Sequence, residues 1–288
     1  MHSCYYTPSG KVPASALPIV VLYALATLPS AWIHAFLVMH APVLVKPLLA
    51  VAHAGFLGYL GYLAAAASKV RDAAWMARFG WLIGATAWYF QWAAWLALAS
   101  GGDAALDVLS MMLSPAALSG ELASALHAGT WRVGGQPATG LLPALCYLAE
   151  AILLVAVPRL SARLRSQEPF CEASNAWADR IAVPRRFAFI DEPRAVRAFL
   201  ERHPDQAPTV LAPCAAEAVT RHARVTVHRC RGADSYLSIE NISAEVDGQT
   251  LKESSAIVVA CLRLPGIDPD ALLRELEAMA SRPAQARA

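Results

Sequence analysis

The sequence predicts a multi-pass α-helical membrane bundle of four transmembrane helices, followed by a small soluble α+β domain with an antiparallel β-meander. Three observations lead there. Four windows in the first half are almost free of charge and close to the roughly 20 residues a helix needs to cross a hydrocarbon core. Charged residues are sparse before Arg159 and dense after it, although the chain as a whole is 57% hydrophobic and only 16% charged, against about 25% charged in an ordinary soluble domain. Hydrophobic alternation of strand period occurs only in the second half. The division expected is a transmembrane domain over 1–160, with an outer loop over 101–139, and a cytoplasmic α+β domain over 161–288.

The windows are 16–39, 43–66, 80–100 and 140–158. The first is longer than the apolar core of a signal peptide, so it reads as an uncleaved helix. His40-Ala41-Pro42 makes a tight turn to the second. Gly55, Gly58 and Gly61, and the pair Gly80 and Gly84, provide small faces on which helix backbones can approach closely. Trp88, Trp92 and Trp95 form a stripe that reads as packing or interface anchoring. In the outer loop, Ser114-Pro115 is an N-cap followed by proline, and Leu118, Leu122, Ala125 and Leu126 follow at helical spacing, which predicts a short amphipathic helix over 115–127.

Orientation follows from the short loops. Lys11, Lys69, Arg71, Arg78, Arg159, Arg163 and Arg165 fall on one side, and Lys46 and Arg132 on the other. This bias predicts that both termini are cytoplasmic.

In the soluble part, Asp191-Glu192-Pro193 starts a helix that runs to about His203. Val225 and Val227 alternate with polar neighbours, Tyr236, Leu237 and Ile239 begin a second strand, and Asp247-Gly248 is a hairpin turn. Residues 256–264 form the returning strand, and Asp268-Pro269 caps a last helix carrying Leu272, Leu273, Leu276 and Met279.

Ionisable side chains at membrane depth are costly and therefore mark functional candidates. At a rise of about 1.5 Å per residue, His34 lies about 8 Å below the outer boundary, and His53, Gln91 and Glu150 lie roughly 14 Å down. Helical spacing puts Thr27, Ser30 and His34 on one face and Cys146 and Glu150 on another. One arrangement accommodates them all: an inward polar seam in which Glu150 accepts a hydrogen bond from His53 or His34, with Gln91 alongside. No catalytic set, P-loop, dinucleotide fingerprint or HExxH motif occurs. No catalytic residue, metal or cofactor is expected, and a net charge near +2 gives no reason to expect a nucleic-acid partner.

Two cysteines stand in C-x-x-C positions whose second cysteine is replaced: Cys171 with Ser174, and Cys230 with Ala233. Two such knuckles make a zinc ribbon when complete. Two thiolates do not complete a tetrahedral site, although His222 and His228 offer substitutes. The expectation is a degenerate zinc ribbon without metal, with two neutral thiols packed about 4 Å apart or somewhat further. Ser174 and Ala233 would then stand where the missing ligands were.

These half-knuckles, together with Tyr5-Tyr6-Thr7-Pro8-Ser9-Gly10, Gly129-Thr130-Trp131 and Glu150-Ala151, resemble uncharacterised bacterial four-span membrane proteins. In that family a P-F-C-E-x-C stretch and a second C-x-x-C follow the spans. The resemblance implies an architecture and placement in a bacterial inner membrane, and no activity. The function expected from the chain is that of a non-enzymatic, membrane-anchored interaction or regulatory protein. Its partners would be the lipid bilayer and a protein, or a second copy, bound through the cytoplasmic domain. The alternative is a small transporter or proton- or ion-responsive channel built on Glu150, His53 and His34.

Overall fold

The computed structural model describes residues 4–100, 110–130, 132–133, 136–214, 220–247 and 250–279. The chain divides into two compact units, one of Ser9–Gln167 and one that joins Glu168–Ala288 with the first eight residues.

The first unit is helical. Helices α1 (Ala16–Leu25) and α2 (Thr27–His40) follow one another almost directly, separated only by Ala26. Pro29 explains the break, because it lacks the N–H that would continue the ladder. The hydroxyls of Thr27 and Ser30 occupy the joint instead, donating to the carbonyls of Ala24 and Thr27 at 2.7 Å each. Helix α3 (Lys46–Ser68) begins with proline in its first turn and ends on Lys69 in the left-handed conformation. Helix α4 (Ala73–Ser100) is capped by Asp72, whose Oδ1 accepts from the amides of Ala74 and Trp75, both at 2.9 Å. Ser114 caps α5 (Pro115–Ala128) through the Ala117 amide, as its spacing predicts. A two-residue hairpin, β1 (Arg132–Val133) with β2 (Gln136–Pro137), leads to α6 (Leu141–Arg165).

Among the described residues, three helical stretches are long and apolar enough to cross a membrane: Ala16–His40, Val43–Ser68 and Leu141–Arg165. The remaining expected window, 80–100, lies in α4, which is 28 residues long. Its tryptophans, Tyr89 and Gln91 lower its mean hydropathy, although α4 buries the longest run of side chains in the unit. Large apolar side chains face outward around the unit, among them Leu22, Ile33, Leu48, Val51, Leu142, Leu148 and Ile152. In water such a belt would be a liability, whereas in lipid it is the solvent-facing surface.

Helix α6 packs against α3 and α4 through glycine. A side chain at Gly61 would stand 2.9 Å from the Pro158 carbonyl, and one at Gly80 would stand 2.6 Å from the Arg159 Cα. Gly84 meets the Val155 Cα in the same way at 2.6 Å, while Gly55 faces open space. Small residues therefore set how closely these backbones approach. Leu57, Met76, Ile83 and Leu154 fill the core between them.

The second unit carries a four-stranded antiparallel sheet in chain order: β5 (Asp179–Ala182), β6 (Arg221–Arg229), β7 (Ser235–Asp247) and β8 (Thr250–Leu264). A small hairpin, β3 (Phe170–Cys171) with β4 (Ala176–Trp177), precedes it. Helices α7 (Pro193–Arg202), α8 (Ala207–Val210) and α9 (Pro269–Met279) contribute to the hydrophobic core. There Leu200, Leu272 and Leu276 pack with Val225, Val227, Leu237, Ile239, Val259 and Leu262. The meander predicted from 223–264 is present, but it has a fourth strand, β5, that the sequence pattern misses. The Asp247-Gly248 turn lies partly outside the described residues. The N-terminal arm also joins this unit: the Tyr6 amide donates to the Cys261 carbonyl at 2.9 Å, and the Arg263 amide donates to the Cys4 carbonyl at 2.8 Å.

One buried amide holds the segment before α7 to the sheet. Asn241 is almost fully enclosed; its Oδ1 accepts from the Ile190 amide at 3.1 Å and its Nδ2 donates to the Ile190 carbonyl at 2.8 Å. Asn241→Leu removes both bonds and leaves two backbone groups without partners, at a cost of about 1–3 kcal/mol for each. Denaturant unfolding of the sheet unit in the full-length chain is expected to show a loss of that order. An unchanged midpoint would show that Ile190 finds other partners.

Candidate functional site

The four polar residues of the expected seam come from four different helices and converge. His34 on α2 donates from Nε2 to Glu150 Oε1 on α6 at 3.2 Å, and Gln91 Nε2 on α4 donates to the same oxygen at 2.9 Å. Because a carboxylate only accepts, His34 carries its proton on Nε2. The His53 ring on α3 stacks on His34 with centroids 4.4 Å apart. Its Nε2 lies 3.4 Å from Ser30 Oγ, whose own hydrogen is committed to the Thr27 carbonyl. His53 Nε2 is therefore the donor, and its buried Nδ1 has no partner. Of the two histidines the sequence leaves open as donors to Glu150, His34 makes the bond and His53 supports it.

The physical reason for the cluster is the surrounding apolar medium, in which polar groups must satisfy one another. His34, His53 and Gln91 are each 5–6% exposed, and the Glu150 side chain is 17% exposed. Glu150 owes its exposure to a cavity of about 340 Å³, whose lining includes His34, Gln91 and Glu150. Lys46, at the first residue of α3, also lines it, as do Trp92, Trp95 and Tyr147. The aromatic rings meet edge to face, Trp92 with Trp95 at 5.9 Å and Trp92 with Tyr147 at 4.9 Å. Tyr147 also hydrogen-bonds Thr130. The sequence reading assigned the tryptophan stripe to packing and passed over Tyr147. The available signal was its position three residues before Glu150, on the same helix face.

Cys171 and Cys230 also meet, but not as two packed thiols. They form a disulfide across 59 positions, with Cα atoms 5.5 Å apart. This corrects the degenerate zinc-ribbon reading: the sulfurs are bonded to each other, and no group of three or more metal-ligating side chains is present among the described residues. Ser174 and Ala233 are exposed turn residues, next to Asn175 and Gly232 with positive φ. The tight turns of the two knuckles remain, without a ligand shell.

A third cluster was not anticipated. His228 Nε2 lies 3.1 Å from Ser238 Oγ and 3.9 Å from Cys261 Sγ, and Cys261 holds a left-handed backbone (φ 51°) in the irregular stretch where β7 and β8 shift register. A cysteine beside a histidine is the layout of an activated nucleophile, but the electrostatics oppose it. Burial pushes the Cys261 thiol up, and burial together with the Arg180 charge pushes His228 down to about 4. Neither thiolate nor imidazolium is favoured near neutrality. The cluster has a pH signature. His228 is depressed below its unfolded value of 6.5, so its contribution is fully present above pH 6.5. It is lost as pH falls toward 4, by up to about 3 kcal/mol. Protection of β6 and β7 amides against hydrogen exchange, corrected for intrinsic rates, is expected to fall across that window. His228→Gln should flatten the fall; an equal fall in the variant would assign it to other groups.

The class these features define is a helical bundle with three candidate membrane spans, an internal carboxylate–imidazole–amide cluster and an appended antiparallel sheet unit. No family model, no curated protein and no solved structure matches the chain.

Proposed function

We propose that this chain is a four-span integral protein of a bacterial inner membrane, not an enzyme, whose bundle carries a proton- or ion-responsive site centred on Glu150. The observation that carries the reading is the double hydrogen bond onto one Glu150 oxygen at the wall of a cavity, with two stacked histidines behind it. A purely structural bond between helices needs no cavity. A carboxylate poised between protein donors and an accessible space can exchange a proton for another cation.

The length of α4, about 42 Å at the usual rise, supports it as the fourth span, and the lysine and arginine bias of the short loops supports cytoplasmic termini.

The test is flux. Protein reconstituted into liposomes with an imposed pH gradient should pass protons, or exchange them for cations, at a rate that Glu150→Gln lowers at least about tenfold, the order expected for one positioned proton carrier. Equal rates in the two proteins would sink the reading.

A second reading, a membrane-anchored interaction module, is favoured by the β8 edge. Residues 252–257 are exposed there, including Ile257 at 61%, and among the described residues the arm pairs with the far end of the strand. Such an edge can accept a strand from a second copy. Ile257→Lys would then abolish self-association without altering flux.

A further inference from the structure

The cavity beside Glu150 has more hydrogen-bonding capacity than the protein uses. Both donors converge on Glu150 Oε1, and among the described residues no hydrogen bond reaches Oε2. The cavity therefore presents a carboxylate oxygen without a protein hydrogen bond, with Trp92, Trp95 and Tyr147 beside it.

We propose that this cavity binds a lipophilic primary or secondary amine in its ammonium form. The ammonium N–H groups would donate to Glu150 Oε2, and the apolar body would lie against the aromatic corner. The inference rests on the reading of the Glu150 cluster as a functional site, and it names what that site holds. Each alternative class fits less well. A bare metal ion needs several oxygen ligands at short range, and about 340 Å³ of mostly apolar space is far too large for one. A quaternary ammonium has no N–H for Glu150. An anion would face Glu150.

The charged and titratable groups lining the cavity are Glu150, His34, Lys46, Cys146 and Tyr147, and His53 stacks behind His34. The imidazoles serve the cluster from behind. Lys46 lies seven residues before His53 on α3, and is therefore about 10 Å shallower. From there its stem can carry the ammonium to the headgroup level. Glu150 is thus the charge at the cavity floor, and aromatic rings over which a cation can sit strengthen that preference.

The test uses full-length protein in lipid nanodiscs and calorimetric titration with 2-(2-naphthyl)ethylammonium, corrected for partition into empty discs. The neutral 2-(2-naphthyl)ethanol and the anionic 2-naphthylacetate have a similar shape and separate charge from hydrophobicity in the unmodified protein. Saturable binding of one ammonium per chain is expected, with the alcohol at least about tenfold weaker, the size of one charge-assisted bond. Glu150→Gln should weaken the ammonium by a similar factor, and Trp95→Leu by about fivefold. Trp81→Leu, at an outward-facing position away from the cavity, should have no effect. The proposal falls if alcohol and ammonium bind alike, if Glu150→Gln binds as the parent does, or if the acetate binds most tightly through Lys46. Proton flux that depends on Glu150 without ammonium binding would overturn this inference and leave the functional reading standing. Selective ammonium binding without such flux would support the site and end the conducting reading.

Discussion

Gly84→Leu is expected to prevent the helical unit from assembling, and Gly84→Ala to destabilise it by about 3 kcal/mol or more, the upper end of the range for overpacking. The reason is geometric. A Cβ at this position would stand 2.6 Å from the Val155 Cα and 3.0 Å from the Leu154 carbonyl carbon, both of which are backbone atoms of α6. A flexible side chain could swing away, but a helix backbone yields only if the whole helix moves. Moving α6 away from α4 would also separate Gln91 from Glu150, so the polar cluster should be lost with the packing. Gly55→Ala is the matched control. It adds the same methyl group to a helix of membrane-spanning length, faces open space, and should gain up to about 1 kcal/mol from helix propensity. Thermal unfolding and size-exclusion profiles in detergent would check both. Equal behaviour of the two variants would show that the bundle tolerates a wider α4–α6 spacing than the glycines suggest.

The second large effect concerns the disulfide. Removing Cys171–Cys230 as Cys171→Ser releases a loop of 59 residues, worth about 4 kcal/mol on the loop-entropy estimate. Reductant should destabilise the parent protein by the same amount and leave Cys171→Ser unaffected, as read by denaturant unfolding of the sheet unit. The bridge also provides a test of orientation. Disulfides persist in oxidising compartments, whereas the lysine and arginine bias predicts a cytoplasmic sheet unit. With a cytoplasmic domain, the pair is held as thiols in growing cells and closes on oxidation. Trapping with a thiol-alkylating reagent before lysis should then find both cysteines modified. A pair fully protected in living cells would place the domain on the oxidising side and overturn the charge argument.

The features legible in the chain are those encoded locally. An apolar run of about 20 residues is a property of composition and length, so 16–39, 43–66 and 140–158 were readable without any partner. Proline and serine caps acted on their own helices, so α5 and α7 began where Ser114-Pro115 and Glu192-Pro193 indicated. Spacing also specified which residues share a face, and this was enough to expect His34, His53, Gln91 and Glu150 on one seam. Helix α4 was harder to read because the side chains that make it a good packing partner, its tryptophans and Gln91, are those that lower its hydropathy.

Other features depended on which segments come to lie side by side. Strand β5 contains a single large apolar residue, Ile181, and sits at a sheet edge, so it carries no alternation to detect. The arm around Tyr5 joins β8 although more than 250 positions intervene, and hydrophobic alternation says which face of a strand is buried, not which strand lies next to it. The half-knuckles suggested that Cys171 and Cys230 meet; that they meet as a covalent bridge, with Ser174 and Ala233 turned to solvent, depends on the approach of two turns. The choice of His34 over His53 as donor to Glu150, the enclosure of Gln91 and Trp92, and the cavity itself likewise arise from how four helices are spaced around one another. That spacing is set by glycine contacts with the α6 backbone, whose partners are distant in the chain, and helical periodicity carries no information about which distant partner is chosen.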